Sequence, residues 1–238
     1  MIYEIAGLRI FLDNQYAYTN KFCHNYESED QVSSVDITAR VTKEEFIEEK
    51  AGSPQFSDGY VENICLYRSL CRQLPTRNRM LLHAAILEYD GKGYAFLGRS
   101  GTGKSTHTGL WLKHIPGSRI INGDKPILQC IGKEFIAYGT PWMGKEMLGC
   151  KDSAPLKGLC FLEQAKENSI RKLTPSEVSS RLFSQVLLPD DEKNAVATLE
   201  LLDKLIETTP AFLLKCDISE EAVITSFEEM TGKKYSNK

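Results

Sequence analysis

The sequence has no apolar run that approaches the roughly 20 residues needed to cross a bilayer, so it does not predict a membrane-spanning protein. It also has no large excess of one charge, since 29 Lys and Arg face 32 Asp and Glu and the net charge is −3. This balance does not indicate a surface for nucleic acid or for anionic membranes. An apolar content of 42% over 238 residues argues against extended disorder and allows one large domain or two small ones.

The N-terminal stretch lacks the basic residues that open a secretory signal peptide, and it carries an acidic residue at Glu4. Together with the missing apolar spans, this predicts a cytoplasmic protein. We expect no nucleic-acid partner and no membrane partner.

Cysteine occurs seven times, but the positions are scattered and no C-x-x-C pair is present. A disulfide framework or a zinc ribbon needs closer grouping. We therefore expect free thiols that are buried as small apolar side chains.

The pattern of the chain changes after residue 76. Residues 1–76 contain short strand-like segments, which predict a small β-rich N-terminal unit, and they end in helical spacing over Tyr60–Leu74. Residues 77–238 alternate strand and helix patterns around a mostly buried sheet, which is typical of the α/β class. The pair Pro75-Thr76 is the predicted boundary.

Turn and capping signals place the elements of the larger part. Leu81–Tyr89 predicts a strand, Asp90–Gly93 a hairpin turn and Tyr94–Gly98 the returning strand. A helix is predicted over Lys104–His114. Another begins at Thr174, which is followed by a proline and, three residues after the threonine, by a glutamate. Further helices are predicted over 190–208 and 219–231, and further strands over 119–122, 126–131, 135–139, 156–164 and 212–216.

The run Gly98-Arg99-Ser100-Gly101-Thr102-Gly103-Lys104-Ser105-Thr106 matches G-x-x-x-x-G-K-[ST] without a mismatch, after an apolar strand and before a helix. Glycines let successive backbone N–H groups turn inward around a phosphate, and the start of a helix adds partial positive charge. In this pattern Lys104 reaches the β- and γ-phosphates, and the Ser105 hydroxyl ligates Mg²⁺. The predicted nucleotide-binding residues are Gly98, Ser100, Gly101, Thr102, Gly103, Lys104, Ser105 and Thr106. The alternative is a solvated Gly/Ser turn, and we expect the Arg99 side chain to point to solvent.

His83 lies on the strand before the hairpin and is predicted to reach the loop. A hairpin turn at Gly91-Lys92 places it opposite Ser100, whereas a turn at Asp90-Gly91 places it opposite Gly98. Either register puts the imidazole beside the phosphate site. The alternative is a histidine with a purely structural role in the core.

Asp124 follows the short strand over 119–122, about 20 residues after the loop. Phosphoryl transfer needs a carboxylate near the γ-phosphate, either to hold Mg²⁺ or to accept the proton of an attacking hydroxyl. An ordinary turn aspartate is the alternative. The glycine-rich segment 138–146 provides two further candidates for contact with phosphate or acceptor, Thr140 and Lys145, or else forms a packed surface turn.

The ordered set of FLGRSGTGKST, a histidine on the preceding strand and NGDKP after the loop resembles the HPr kinase/phosphorylase-type family. That family shares its P-loop core with ATP-dependent phosphoenolpyruvate carboxykinase. The resemblance extends from about Arg79 to the C-terminus, and YGTPWMGKE and APLKGLCFLEQ are similar to short bacterial HPr-kinase-like proteins. It implies a P-loop kinase domain over 77–238, with the β-rich unit over 1–76.

The resemblance also implies a function. The chain would be an ATP- and Mg²⁺-dependent kinase that transfers the γ-phosphoryl group to a hydroxyl, on a serine of a protein or peptide or on free serine. By similarity, residues 98–105 bind ATP, Ser105 and Asp124 hold the metal, and Asp124 acts as general base. His83 and Lys104 act at the phosphates. The identity of the acceptor stays open, as does the part of the N-terminal unit in docking it or in forming a homo-oligomer.

The sequence departs from the family at two places. HPr kinases carry two adjacent aspartates where this chain has Gly123-Asp124, and an acidic residue where it has Thr106. A regulatory module that binds ATP without transferring phosphate is therefore the alternative function. An ATPase that acts with an interaction partner is a third.

Overall fold

The computed structural model describes residues 1–236, which form a mixed α/β fold and confirm that class. The last two residues of the predicted 77–238 domain lie outside the described residues. The strands are β1 (Ile2–Ile5), β2 (Leu8–Leu12), β3 (Ile37–Ala39), β4 (Arg79–Leu81), β5 (Ala84–Tyr89), β6 (Lys92–Leu97), β7 (Arg119–Asn122), β8 (Ile127–Ile131), β9 (Glu134–Tyr138), β10 (Ser153–Gln164), β11 (Ser169–Lys172) and β12 (Ala211–Cys216). The helices are α1 (Ala17–Phe22), α2 (Lys43–Gly52), α3 (Asp58–Arg72), α4 (Lys104–His114), α5 (Pro175–Leu182), α6 (Glu192–Thr208) and α7 (Glu220–Thr231).

The larger sheet within residues 1–236 has nine strands, in the order β4-β8-β9-β10-β6-β5-β7, with β12 beside β10 and β11 beside β12. Strands β6, β10 and β12 are parallel, and the other neighbours are antiparallel. Strand β10 changes partners along its length: Ser153–Pro155 pairs with β9, and the following residues pair with β6 and β12. This change of partners curls the sheet.

Three chain segments meet at one edge of this sheet. Strand β5 runs antiparallel to both β6 and β7, so the start of β5 lies beside the ends of the other two strands. His83 precedes β5, Gly98 follows β6, and Asp124 lies two residues beyond β7. The topology therefore places the three predicted segments at the same edge.

The hairpin register decides between the two predicted positions of His83. Tyr89 pairs with Lys92, so the turn is Asp90-Gly91 and His83 lies at the level of Gly98. The predicted strand over 81–89 is, however, two strands. His83 interrupts it because its N–H donates to the Gln185 carbonyl, 2.7 Å away, instead of to a strand.

Both faces of the central strands are covered. On one face, Leu159 and Phe161 of β10 join a core with α5 and α6, and on the other, Cys160 and Leu162 join a core with α4 and α7. Successive residues of a strand point to opposite faces, so a strand buried on both sides is apolar throughout. This explains the uninterrupted apolar run within 156–164.

The N-terminal 76 residues contain more helix than strand, and α2 and α3 match the helical stretches predicted over Lys43–Lys50 and Tyr60–Leu74. Their three strands have four, five and three residues, whereas α1, α2 and α3 have six, ten and fifteen. The description as β-rich is therefore wrong for the unit as a whole, and Leu66 and Leu70 of α3 join the small sheet in one core. Its core includes Leu81, Ile127 and Trp142 from the rest of the chain. The division at residue 76 stays a prediction.

Helix boundaries follow the predicted local signals. Helix α4 spans Lys104–His114, as expected. Helix α5 follows Thr174, whose side chain accepts from the Glu177 N–H while the Glu177 carboxylate accepts from the Thr174 N–H.

All seven cysteines are free thiols, and five are buried. Within residues 1–236, no helix combines the length and apolar character that a membrane crossing requires.

A buried histidine links α4 to α7. His107 Nε2 lies 3.0 Å from Ser226 Oγ, and Trp111 Nε1 donates to the same hydroxyl at 2.9 Å. The other ring nitrogen, Nδ1, has no hydrogen-bond partner in residues 1–236. Burial lowers the pKa of His107 from 6.5 to about 4, so the imidazole is neutral in the folded protein at neutral pH.

We expect His107 to make the free energy of unfolding fall by about 3 kcal/mol as the pH drops from 6.5 to about 4. In this window the unfolded chain binds a proton that the buried imidazole does not, so protonation favours unfolding. Urea titrations across this range measure the slope, which should be flatter in His107→Gln than in the wild type. His24→Gln, at an exposed histidine, is the control and should keep the wild-type slope. Identical slopes for the wild type and His107→Gln would contradict the prediction.

Candidate functional site

The predicted phosphate loop connects β6 to α4, and its glycines adopt conformations that other residues rarely take. Gly103, directly before α4, has φ of +103°. Gly98 has φ of +155°, and a Cβ added there would lie 2.5 Å from Thr102 Oγ1. A side chain is therefore disfavoured at Gly103 by backbone strain and at Gly98 by a collision as well.

The loop is closed by its own hydrogen bonds. The Arg99 carbonyl accepts from the Thr102 N–H at 3.2 Å and from Thr102 Oγ1 at 2.8 Å. The Arg99 side chain is exposed, as expected. From the end of β10, Gln164 Nε2 donates to the Gly101 carbonyl at 3.2 Å.

The N-terminus of α4 differs from those of the other long helices. Among residues 1–236, the five other helices of eight or more residues begin with a side chain that accepts from the backbone, namely Thr42, Ser57, Thr174, Asp191 and Ser219. Helix α4 begins at Gly103 without a side-chain cap and has no acidic residue in its first turn. The first N–H groups of a helix lack intrahelical acceptors, so this end is open to an anion.

Lys104 folds back across the loop. Its Nζ donates to the Gly98 carbonyl at 2.8 Å and lies 3.5 Å from the Arg99 carbonyl, and the residue is 8% exposed. Burial lowers the pKa of Lys104, and the nearby Asp124 carboxylate opposes this effect. The charge of a buried ammonium is costly when no carboxylate lies close to it, so binding of an anionic ligand stabilises it.

Asp124 is held by two side chains at the same edge. Its Oδ1 lies 3.1 Å from His83 Nε2, and its Oδ2 lies 3.2 Å from Lys125 Nζ. Burial opposes ionisation of Asp124, but the hydrogen bond from His83 and the charge of Lys125 outweigh it, so the pKa lies below its ordinary value. Asp124 is therefore an ionised carboxylate at neutral pH.

Asn122 and Thr140 fix the turn that carries Asp124. Asn122 Oδ1 accepts from the N–H groups of Asp124 at 2.9 Å and Lys125 at 2.7 Å, while its Nδ2 donates to Thr140 Oγ1 at 3.1 Å. The Thr140 hydroxyl donates to the Lys125 carbonyl at 2.8 Å.

The predicted substrate contact of Thr140 is contradicted by this placement. Thr140 is 0% exposed, and both hydrogen-bonding functions of its hydroxyl are used within the protein. Its role is to hold the turn of Asp124. The other candidate of that segment, Lys145, is exposed and lines the cavity described next.

A cavity of about 970 Å³ brings most of the predicted residues together. Those that line it are His83, Ser100, Gly101, Gly103, Lys104, Ser105, Thr106, Asp124 and Lys145. Gly98 and Thr102 do not line it; they take part in the hydrogen bonds within the loop. The opposite wall comes from α1 and α3 of the N-terminal unit. The volume is large enough for a nucleotide and part of a second substrate.

The oxygen ligands of the cavity suit an Mg²⁺ ion that is bound mainly by the phosphates of a nucleotide. Within residues 1–236, no cluster of three or more His, Cys, Asp or Glu is arranged to hold a metal ion. Mg²⁺ in phosphoryl-transfer sites uses one or two protein oxygens, and phosphate and water complete its shell. The Ser105 hydroxyl and the Asp124 carboxylate, which both line the cavity, match that need.

Comparison with known proteins gives little further guidance. No protein-family model matches the sequence, and no curated protein sequence matches it. The solved structure of the HPr(Ser) kinase/phosphatase from Coxiella burnetii aligns with 64% of this chain and 93% of its own, at a TM-score of 0.36 and 12% identity. This is a distant structural relationship. It is too weak to support a conclusion about activity, which has to come from the residues of the site.

Two residues that hold Asp124 and the loop in place, Lys125 and Gln185, were not found by sequence reasoning. Lys125, which contacts the second oxygen of Asp124, directly follows that residue in the run NGDKP, and this adjacency was an available signal. Gln185 follows α5. In the amide orientation that satisfies its neighbours, its side-chain nitrogen donates to the Gly98 carbonyl at 3.3 Å and to the His83 carbonyl at 3.1 Å. No local pattern marks Gln185, because its contacts are made across the fold.

Proposed function

We propose that this chain is an ATP-dependent kinase of the HPr-kinase-like type, which transfers the γ-phosphoryl group to the hydroxyl of a serine in a protein or peptide, or of free serine. The observation that carries the proposal is the position of Asp124. Its carboxylate shares one cavity with Lys104 and Ser105 and is held on both oxygens by His83 and Lys125.

The loop and α4 supply the binding of the triphosphate. The open N–H groups at the start of α4 face the cavity together with Lys104, and both attract the β- and γ-phosphates. Mg²⁺, bound by the phosphates with Ser105 and Asp124, would neutralise charge that develops on the transferred group. Lys104 would then exchange its contacts with the loop carbonyls for contacts with phosphate oxygens.

Asp124 supplies the acceptor side of the reaction. The acceptor hydroxyl oxygen forms a bond to the γ-phosphorus, the bond from that phosphorus to the bridging oxygen breaks, and ADP leaves. The hydroxyl proton passes to the Asp124 carboxylate. Because its pKa is lowered, Asp124 orients the hydroxyl as an ionised acceptor and takes the proton late, as the new bond forms. His83 and Lys125 keep the carboxylate in place.

One observation favours the regulatory module instead. The residue before Asp124 is glycine, where the family has a second aspartate, and the structure leaves no room for a side chain there. A Cβ on Gly123 would lie 2.8 Å from the Met143 carbonyl oxygen and 3.1 Å from that of Leu148. If the second aspartate is essential for transfer, this chain binds ATP without phosphorylating anything.

An acceptor panel tests the proposal. The protein is incubated with ATP, Mg²⁺ and one acceptor at a time, which is free serine, HPr or a synthetic serine peptide. The intact mass of each acceptor is then measured. We expect a gain of about 80 Da, the mass of one HPO₃ group, on at least one acceptor, and no gain when EDTA is added. ATP binding without any modified acceptor would favour the regulatory module. Phosphate release without a modified acceptor would favour an ATPase.

A further inference from the structure

The wall of the cavity opposite the loop is built of aromatic rings in mutual contact. We call Tyr18, Phe22, Tyr60, Tyr67 and Trp142 the aromatic wall; all five line the cavity. Ring centroids are 4.8 Å apart for Tyr67 and Trp142, 6.3 Å for Trp142 and Phe22, and 5.8 Å for Phe22 and Tyr18 and for Tyr18 and Tyr60. Four of these residues belong to the N-terminal unit. An apolar surface of this extent inside a polar site indicates a ligand with apolar parts.

The aromatic wall begins at the acceptor side of the proposed reaction. The segment that carries Trp142 packs against Asp124, since a Cβ added at Gly144 would lie 3.0 Å from Asp124 Cβ. The Trp142 ring centroid lies 4.8 Å from that of Tyr67. The acceptor hydroxyl has to lie between Asp124 and the γ-phosphate. A group that contacts Tyr67 is therefore a neighbour of that hydroxyl.

The polar groups of the aromatic wall suit a neutral ligand. Free serine has an ammonium and a carboxylate, and each needs a charged or hydrogen-bonding partner once it is buried. Among the described cavity residues of α1 and α3, only Arg68 is charged, and it already forms an ion pair with Glu49 of α2. The other charged residues of the cavity belong to the loop and to the segments that follow β7 and β9. Trp142 Nε1, in a side chain that is 8% exposed, has no acceptor in the described protein. A peptide carbonyl is a neutral acceptor of the required kind.

From these observations we infer that the aromatic wall binds an apolar side chain next to the acceptor hydroxyl, so that the acceptor is a serine in a peptide segment with an apolar neighbour. This inference rests on the proposed kinase function and narrows its acceptor class. Tyr60 and Phe22 are the specificity-determining residues, because both, like Tyr18, are half-buried and so present ring surface to the cavity, whereas Tyr67 and Trp142 are buried.

Peptide kinetics test the inference. The probes are blocked pentapeptides Gly-X-Ser-X-Gly, in which X is Phe, Leu, Gly or Asp, together with free L-serine. We expect kcat/KM for the Phe and Leu peptides to exceed that of the Gly peptide by about 10-fold or more, since apolar pockets discriminate at this level. Tyr60→Ala should remove most of this preference, and Tyr60→Phe should retain it. Phe183→Ala, which truncates an exposed ring outside the cavity, is the matched control and should keep it fully. Equal kcat/KM for all peptides, or free serine as the best acceptor, would overturn the inference and leave the kinase function in place.

Two binding measurements separate this inference from the function on which it rests. Tyr60→Ala should bind MgATP with the affinity of the wild type. An affinity about 10-fold lower would show that the aromatic wall binds the adenine base, and this would overturn the inference but not the proposed kinase function. Peptide affinity is also measured by tryptophan fluorescence with a non-hydrolysable ATP analogue bound, because Trp142 stands in the wall. Tighter binding of the Phe and Leu peptides supports the inference even where turnover is slow, and equal affinities overturn it. Failure of the wild type to bind MgATP would instead refute the proposed function.

Discussion

Asp124→Asn is expected to lower the rate of phosphoryl transfer by about 1,000-fold while ATP remains bound. The amide keeps the shape of the side chain and an oxygen for the hydrogen bond from His83, which lies 3.1 Å from the carboxylate. It removes the proton acceptor and the negative charge that would help hold Mg²⁺. The loss should therefore appear in kcat, and ATP affinity in the presence of Mg²⁺ should change much less.

Single-turnover kinetics with the best acceptor and calorimetric titration with MgATP measure the two quantities for Asp124→Asn. Asp203→Asn is the matched control, since Asp203 lies on the exposed face of α6 and outside the cavity. It should retain the wild-type rate. If Asp124→Asn also transfers phosphate at the wild-type rate, Asp124 is not the catalytic carboxylate and the kinase proposal loses its main support.

Lys104→Ala is expected to weaken MgATP binding by about 100-fold, because one charge-assisted contact to phosphate is lost in a partly desolvated site. Burial already lowers the pKa of Lys104, so its ammonium gains more from an anion than an exposed lysine does. Calorimetric titration measures the affinity. Lys104→Met keeps the apolar stem in place and should show the same loss if the charge is the cause.

A second lysine of the same helix serves as control for Lys104. Lys113 lies in the last turn of α4, is exposed and does not line the cavity. Lys113→Ala should bind MgATP as the wild type does. Unchanged affinity in both Lys104 variants would mean that the loop does not hold the phosphates.

The predictions that succeeded depend on interactions between residues close in sequence. The box at Thr174 and Glu177 starts α5, and the hairpin turns within residues 90–93 as predicted, because both signals act within four residues. Helix α4 was found with its predicted bounds for the same reason. The structure then chose between the two predicted turn positions of the hairpin. The apolar run over 156–164 was predicted as a strand and lies within β10.

The elements that were missed depend on distant partners. Strand β11, with the polar sequence SIRK, exists because it pairs with β12 about 40 residues later. Helix α1 has six residues, no side-chain cap and no apolar periodicity long enough to indicate it. The split of the strand over 81–89 at His83 likewise follows from the carbonyl of Gln185, about 100 residues away.

The amino-acid sequence by itself determined the loop and the start of α4, since glycines at fixed spacing, a lysine and an uncapped helix end are local properties of residues 98–106. It also pointed to His83 and Asp124 as companions. Only the tertiary structure showed that His83 and Lys125 hold the two oxygens of Asp124. It also showed that the buried Thr140 holds the turn of Asp124, and that aromatic rings of the N-terminal unit line the cavity. These contacts join residues far apart in the chain, and their distances depend on how the sheet curls and on how α3 packs against it, which no short sequence pattern encodes.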